Sequence, residues 1–418
     1  MFPTSLQLPP TEEAVPTGVQ LTPMDPVFRN DPYPVLERVR NAEPVHRDEP
    51  LSRWFVTGFE EVREILRNKD LSSNIHNANP DSYTGRMRLN AQSGGMSETF
   101  NSILFKDDPE HRRLRTLVSK PFSPKAVEDL RPRIRANVAE LLDTLTQPTF
   151  DLVKSFAGPL PVVVIAELLG VEPQKRGLFK AWSNDITAGF FNPLKLRELT
   201  ERGARAQRAL CEYLDEVIAA RRREPGSDLI SSMITADEGE IPLSDTEIRG
   251  QTNLLLVAGN VTTSDLIANG MKALLSHPEQ LAALRADPDL IGNTVEEILR
   301  YDSPVTQANR ILTTDMTFHG CPMNRGQSVS VSLAGSNHDP RANPDPDMFD
   351  IRRKDVRHLS FGGGKHLCLG SWLARVEAQE AILGLLGKFP QLSLNEQLFE
   401  YRPVPSFRGL QALWVSRG

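Results

Sequence analysis

Phe361-Gly-Gly-Gly-Lys-His366-Leu-Cys368-Leu-Gly370, followed by an alanine-rich helical run from about Ser371 to Gly387, is the stretch on which the reading of this chain turns. Three consecutive glycines let backbone approach a flat ligand without Cβ clashes. The cysteine stands just before a predicted helix N-terminus, where free amides and the helix dipole stabilise a thiolate. A thiolate held in this way can ligate iron. Two other readings stay open on these residues alone. One is a buried cysteine after a loose glycine turn. The other is a zinc site using His358, His366 and Cys368, although no paired Cys/His cluster stands elsewhere.

Upstream, Glu297-Ile-Leu-Arg300 places opposite charges three apart, on one helical face, and Phe349-Asp-Ile-Arg352 follows it. Ser244-Asp-Thr-Glu247 is a capping box, and the helical pattern it opens runs to Ser276, where His277-Pro278 stops it. About 33 residues at ~1.5 Å each give roughly 50 Å, enough to cross a domain of this size. Midway along it, Gly259-Asn260-Val261-Thr262-Thr263 is a poor helix-forming run. That weakness predicts a local bulge. His111-Arg-Arg-Leu-Arg115 follows Asp107-Asp108-Pro109, an acidic helix start with an early proline, and His111 and Arg115 project from one face.

The remaining 418-residue context is that of a globular protein, with 39% hydrophobic and 24% charged residues. Basic residues number 48 against 54 acidic, a net charge of −6, which excludes the basic footprint of a general nucleic-acid binder. With 3 cysteines there is no disulfide framework. The first thirty residues have neither the basic start nor the apolar run of a signal peptide. The apolar runs Pro159–Ala166 and Leu254–Gly259 fall far short of the ~20 residues that span a bilayer. These features predict a cytoplasmic protein with no membrane association. The proline-rich start predicts a flexible N-terminal segment over 1–24, with a single domain over 25–418. Residues 53–57 read as a strand and Glu60–Arg67 as a helix. Residues 70–105 read as a long functional loop. Strand signals return at Met316–Gly320 and Ser328–Leu333, so the expected class is mainly α with small β-sheets.

Phe-x-x-Gly-x-x-x-Cys-x-Gly over Phe361, Cys368 and Gly370 resembles the haem-binding loop of the cytochrome P-450 family. Glu297…Arg300 and Phe349…Arg352 resemble two further family patterns. Ala258-Gly-Asn-Val-Thr-Thr resembles the oxygen-binding stretch of the family's long helix. The patterns stand in family order across 258–370, and the likeness extends to about 25–415. It implies a single cytochrome P-450 fold, a long central helix over a haem b group, and Cys368 as the iron ligand. Glu297, Arg300 and Arg352 would form a buried structural network. His111, Arg115, Arg310 and His358 would meet the haem propionates, with His366 a weaker candidate for the same duty.

One residue departs from the pattern. Where the family has an acid before the oxygen-activating threonine, this chain has Val261. Thr262 is kept, so proton delivery would rest on Thr262 with water, Asn260 or another group, beside Gly259. By the same resemblance, the substrate segments fall at 76–105, 186–193, 252–256, 304–309 and 405–407. Phe190, Phe191, Leu255, Val305 and Phe407 would line an apolar pocket, with Thr306, Gln307 and Asn309 as polar anchors. The resemblance implies a monooxygenase that inserts one oxygen atom of O₂ into a hydrophobic small molecule. Its electrons would come from a ferredoxin and ferredoxin reductase docking near Arg112, Arg113 and Lys365. Val261 also motivates a peroxide-driven or rearranging haem-thiolate enzyme. A non-enzymatic haem ligand binder or sensor is a third reading.

Overall fold

The computed structural model describes residues 14–95, 97–190, 196–236 and 241–418. Helices dominate it, and five of them, labelled α1 to α5 in chain order, build the site. They are α1 (Glu110–Ser119), α2 (Arg176–Phe190), α3 (Asp245–Ser276), α4 (Ile291–Tyr301) and α5 (Ser371–Lys388). The largest sheet has five strands: β1 (Val45–Asp48), β2 (Arg53–Val56), β3 (Leu71–Ser72), β4 (Gln307–Leu312) and β5 (Ser328–Ser332). Its order is β1-β2-β5-β4-β3, with β2 and β5 parallel and the other pairs antiparallel. Strand β5 alternates Ser and Val. Val329 and Val331 enter a core with Val56, Ile65 and Leu312. The hydroxyls on the other face are satisfied, Ser330 donating to Asn309 Oδ1 at 2.7 Å.

Helix α3 is the axis of the molecule. Ser244 Oγ accepts from Glu247 N–H at 3.3 Å, and the Glu247 carboxylate accepts from Ser244 N–H at 2.8 Å, so the capping box forms as the sequence predicts. The helix ends where expected, at Ser276. It is buried on most sides, as a helix at the centre of a domain must be. Helices α4 and α5, together with Pro124–Asp143 and Pro159–Leu168, join it in one large apolar core.

Three expectations need correction. No bulge interrupts α3 at 258–263; it is α-helical throughout, because packing on its neighbours overrides the weak local propensity. The stretch 70–105 is not a featureless loop. Ser82 caps a helix at Tyr83–Ser93, and short turns at Ile75–Asn77, Ser97–Asn101 and Ile103–Phe105 close a small cluster of Ile75, Ala91 and Phe100. The segment 14–24 is packed against the fold and not free of it: Leu21 is buried, and Asp48 accepts from Thr17 Oγ1 and Gly18 N–H. Residues 1–13 lie outside the described residues. Among the described residues, no helix is long and apolar enough to cross a membrane.

Candidate active site

The glycine loop is shaped by two left-handed residues, Gly362 (φ +72°) and Gly364 (φ +65°). A Cβ on Gly364 would stand 2.4 Å from the Leu66 carbonyl oxygen, so only glycine fits there. The turn brings Cys368 N–H to the Phe361 carbonyl at 2.9 Å. The Gly370 N–H, at the head of α5, donates to the Cys368 sulfur. Burial pushes the thiol up, while that amide, Arg115 and Arg375 pull it down. Although it lies deep in the molecule, Cys368 is exposed, which makes it part of an internal surface. The central helix contributes to such a surface too. Leu254, Leu255, Ala258, Gly259 and Thr262 are among the α3 residues that are not fully buried and form one stripe, at the i, i+4 and i+8 spacing of one helical face.

Four nitrogen side chains gather beside the loop. Arg310 is 7% exposed, and its side chain donates to the Asn309 carbonyl. Burial lowers its guanidinium to about 10. Arg115 has no carboxylate partner among the described residues, and burial lowers it as well. His111 and His366 lie with ring centroids 4.2 Å apart, and the Nε2 of each is buried without a hydrogen-bond partner among the described residues. Desolvation, then Arg310, His111, Lys365 and Arg115, hold His366 at about 2. Two desolvated guanidiniums beside two neutral imidazoles with open ring nitrogens are unfavourable unless an anion sits among them. A group carrying two carboxylates beside a thiolate-bound iron meets that need, so the residues present fit a haem.

Not every expected member joins this cluster. His358 is committed elsewhere: Nε2 pairs with Glu296 Oε2 at 3.0 Å, and Nδ1 accepts from Ser360 N–H at 3.3 Å. It is therefore corrected from a propionate partner to part of a pair with Glu296, and His366 takes its place in the cluster. The third member of the buried network is Arg353, and Arg352 is exposed. Arg300 binds Glu297 through Nε and a terminal nitrogen, both at 2.8 Å, and Arg353 Nε lies 3.3 Å from the same carboxylate. Arg300 and Arg353 share the Met348 carbonyl as acceptor. The turn after Asp350 points residue 352 outward and 353 inward, a one-residue shift that sequence spacing does not reveal.

On α3, Thr262 Oγ1 donates to the Ala258 carbonyl at 2.6 Å, both on the accessible stripe. Asn260 points the other way. Its amide donates to Ser183 Oγ of α2 at 3.0 Å, so it is corrected from a catalytic candidate to a tether between helices. Val261 is also buried, at 5% exposure. Among the pocket candidates, Leu255 is on the stripe, and Val305 bridges Phe407 in an antiparallel pair. Phe190 packs with Phe100 and Phe105 at centroid distances of 6.0 and 6.5 Å. Phe191 lies outside the described residues. Gln307 is not a free anchor, since it bonds Ser406 Oγ at 3.0 Å and receives Arg53 at 3.3 Å; Asn309 is likewise held by Ser330. Near the loop, Arg113 is paired with Glu247, and Lys365 lies 3.8 Å from Asp107, leaving Arg112 the exposed cation of that trio.

The sequence model described as Cytochrome P450 matches residues 174–398. The chain is 40% identical to "Cytochrome P450 monooxygenase PikC" of Streptomyces venezuelae, across 96% of this chain and 94% of that protein. It is 38% identical to "Biotin biosynthesis cytochrome P450" of Bacillus subtilis (strain 168), across 93% of this chain and 97% of the other. The chain belongs to the cytochrome P450 family. Among solved structures, P450BioI in complex with hexadec-9Z-enoic acid ligated acyl carrier protein superposes with a TM-score of 0.86 at 35% identity. That likeness covers 94% of this chain and 100% of the other. The expected fold class and the expectation of a haem-iron monooxygenase both stand.

Proposed function

We propose that this P450 holds haem b between Cys368 and the α3 stripe and oxidises an apolar, medium-sized or long molecule. The observation that carries the reading is the pair of unpartnered imidazole nitrogens of His111 and His366 beside Arg115 and Arg310, two desolvated guanidiniums with no carboxylate hydrogen bond among the described residues, next to an accessible Cys368. Bound haem iron supplies the activation of dioxygen and the transfer of one oxygen atom to a C–H bond. Cys368 is the iron ligand, with the Gly370 amide donating to its sulfur. The four basic side chains hold the propionates by charge-assisted bonds. Thr262 supplies the one hydroxyl on the stripe. Because its proton goes to Ala258, its oxygen is left to accept a hydrogen bond from a proton-bearing donor. Val261 and Asn260 face away and carry no proton to that point.

The substrate lies along Leu254, Leu255 and Ala258, against Val305 and the aromatic cluster of Phe100, Phe105 and Phe190. An extended or multi-ring apolar compound fits this surface. A small acidic iron–sulfur protein of the ferredoxin type delivers electrons over the proximal face, where Leu367 (46%) and Trp372 (47%) are exposed, and Arg112 offers an exposed cation. A peroxide-driven, rearranging or ligand-sensing role gains no residue in its favour. The direct test is titration of the haem-loaded protein with fatty acids, acyl carrier conjugates, macrolactones and steroids, read by the optical shift of the haem. At least one class should give saturable binding followed by an oxygenated product with a surrogate ferredoxin system. Absence of any shift across all four classes would contradict the substrate assignment.

A further inference from the structure

Behind the Cys368 loop stands a second charged group that the haem contacts do not use. Glu296, on α4, receives Arg375 of α5 through two guanidinium nitrogens at 2.5 and 2.8 Å. The same carboxylate holds His358 Nε2 at 3.0 Å. Arg375 lies with its guanidinium carbon 4.5 Å from the centre of the Phe361 ring and 5.7 Å from that of Trp372. Phe361 is the residue whose carbonyl accepts the Cys368 amide at 2.9 Å. The chain of contacts thus runs Glu296, Arg375, Phe361, Cys368, crossing from one helix to the other and ending at the sulfur-bearing residue.

We propose that Glu296 and Arg375 form a charge clamp that sets the electron-donating strength of the Cys368 thiolate, Arg375 supplying positive charge behind the loop and Glu296 offsetting most of it. The inference rests on the reading of Cys368 as the iron ligand. Three features favour a tuning role over simple packing. The pair is bidentate, which fixes the guanidinium plane. Arg375 lies over the aromatic ring of the loop itself, which keeps its charge beside the loop. The carboxylate carries two cationic or polar partners, and Glu296 is held at about 2, so it stays ionised throughout the working range. Partners of this kind, outside the direct ligand set, tune thiolate-bound metals by charge and hydrogen bonding.

The sign of the effect is fixed by electrostatics. Reduction adds one negative charge to the iron–thiolate unit, so uncompensated positive charge nearby favours the reduced state. Glu296→Gln keeps the side-chain shape and leaves Arg375 unbalanced, which shifts the iron reduction potential upward. Arg375→Gln leaves Glu296 unbalanced and shifts it downward. The double variant returns toward the wild-type value. Glu296→Asp and Arg375→Lys keep the charges and hold the potential near wild type. The experiment is a spectroelectrochemical titration of haem-loaded wild type and these five variants. The spectrum of the reduced carbon monoxide complex, recorded for each, reports cysteine ligation separately. A wild type lacking the thiolate band defeats the ligand reading and the clamp with it, whereas a wild type that keeps the band leaves the potentials to decide the clamp alone. Opposite shifts in the two Gln variants, cancelling in the double, are expected. Shifts of the same sign, no shift in either, or loss of haem from the charge-retaining variants as well as the Gln variants would reduce the cluster to packing and overturn the proposal.

Discussion

His111 and His366 lie with ring centroids 4.2 Å apart and planes inclined at 51°, and neither offers its buried Nε2 to any partner among the described residues. Two imidazoles with open buried nitrogens beside Arg115 and Arg310 are an unfavourable group without an anion. On the proposed reading, the two carboxylates of a bound haem complete the arrangement. A site of this kind is costly when empty and favourable when filled, which is a thermodynamic description of tight cofactor binding.

Arg310 tests that balance. Arg310→Met removes a buried cation of similar length. A hydrogen bond to a charged group contributes about 1.5–3 kcal/mol, so haem loss to an acceptor globin should accelerate about tenfold to a hundredfold. The haem-free variant should be at least as stable as haem-free wild type, since an unpaired buried charge is gone. Unchanged haem retention would show that Arg310 does not meet the propionates.

The buried ion-pair network separates two adjacent arginines. Arg300→Ala and Arg353→Ala each leave Glu297 short of a partner; for Arg300, whose loss exposes a fully buried pair, the cost is on the order of 3–5 kcal/mol. Arg352→Ala removes an exposed side chain and should stay within ~0.5 kcal/mol of wild type. Thermal unfolding and haem content of the three variants check this. An Arg352 effect as large as that of Arg353 would refute the assignment.

How much of this was legible in the sequence depends on the range of the interaction concerned. The Ser244–Glu247 capping box, the Ser276 helix end and the Cys368 turn are local, and local residue chemistry places them correctly. The partners of Glu297 are not local: whether residue 352 or 353 reaches inward is decided by the turn at Asp350 and by carbonyls from 344 to 348. His358 shows the same limit, because Glu296 comes from another helix. Propensity misled at 258–263, where the neighbours of α3 hold residues that alone would weaken a helix. The Glu296–Arg375 pair had no sequence signal, since the two residues are 79 positions apart.

Glu377, on α5, gives a pH dependence of known sign. It is 3% exposed, its Oε2 has no partner among the described residues, and burial raises it from 4.5 to about 8. Between those values the unfolded chain releases a proton that the folded chain keeps. The contribution is therefore fully present below about pH 4.5 and is lost as pH rises toward about 8. Glu377→Gln removes this dependence. Its melting temperature relative to wild type should be higher at pH 8 than at pH 5. A pH-independent difference would mean that Glu377 is ionised in the fold.

Val261 and Thr262 carry the prediction about proton supply. Val261 is buried, so a carboxylate introduced there is desolvated and its pKa rises. Thr262→Ala should lower the product formed per electron consumed and raise released peroxide. Val261→Glu should leave product per electron at the wild-type level, because its side chain starts on the buried side of α3, away from the Thr262 hydroxyl. Both are measured with bound substrate and a surrogate ferredoxin system. If wild type already couples nearly fully and Thr262→Ala changes nothing, protons arrive by a path that avoids this turn of α3.

The most direct test of the whole account is the optical spectrum of the reduced, carbon monoxide-bound protein, taken for wild type and for Cys368→His. Wild type should show the red-shifted Soret band that gave the family its name, and Cys368→His should lose it while still folding. A wild-type spectrum like that of a histidine-ligated globin, or a Cys368→His variant that keeps the band, would contradict thiolate ligation by Cys368.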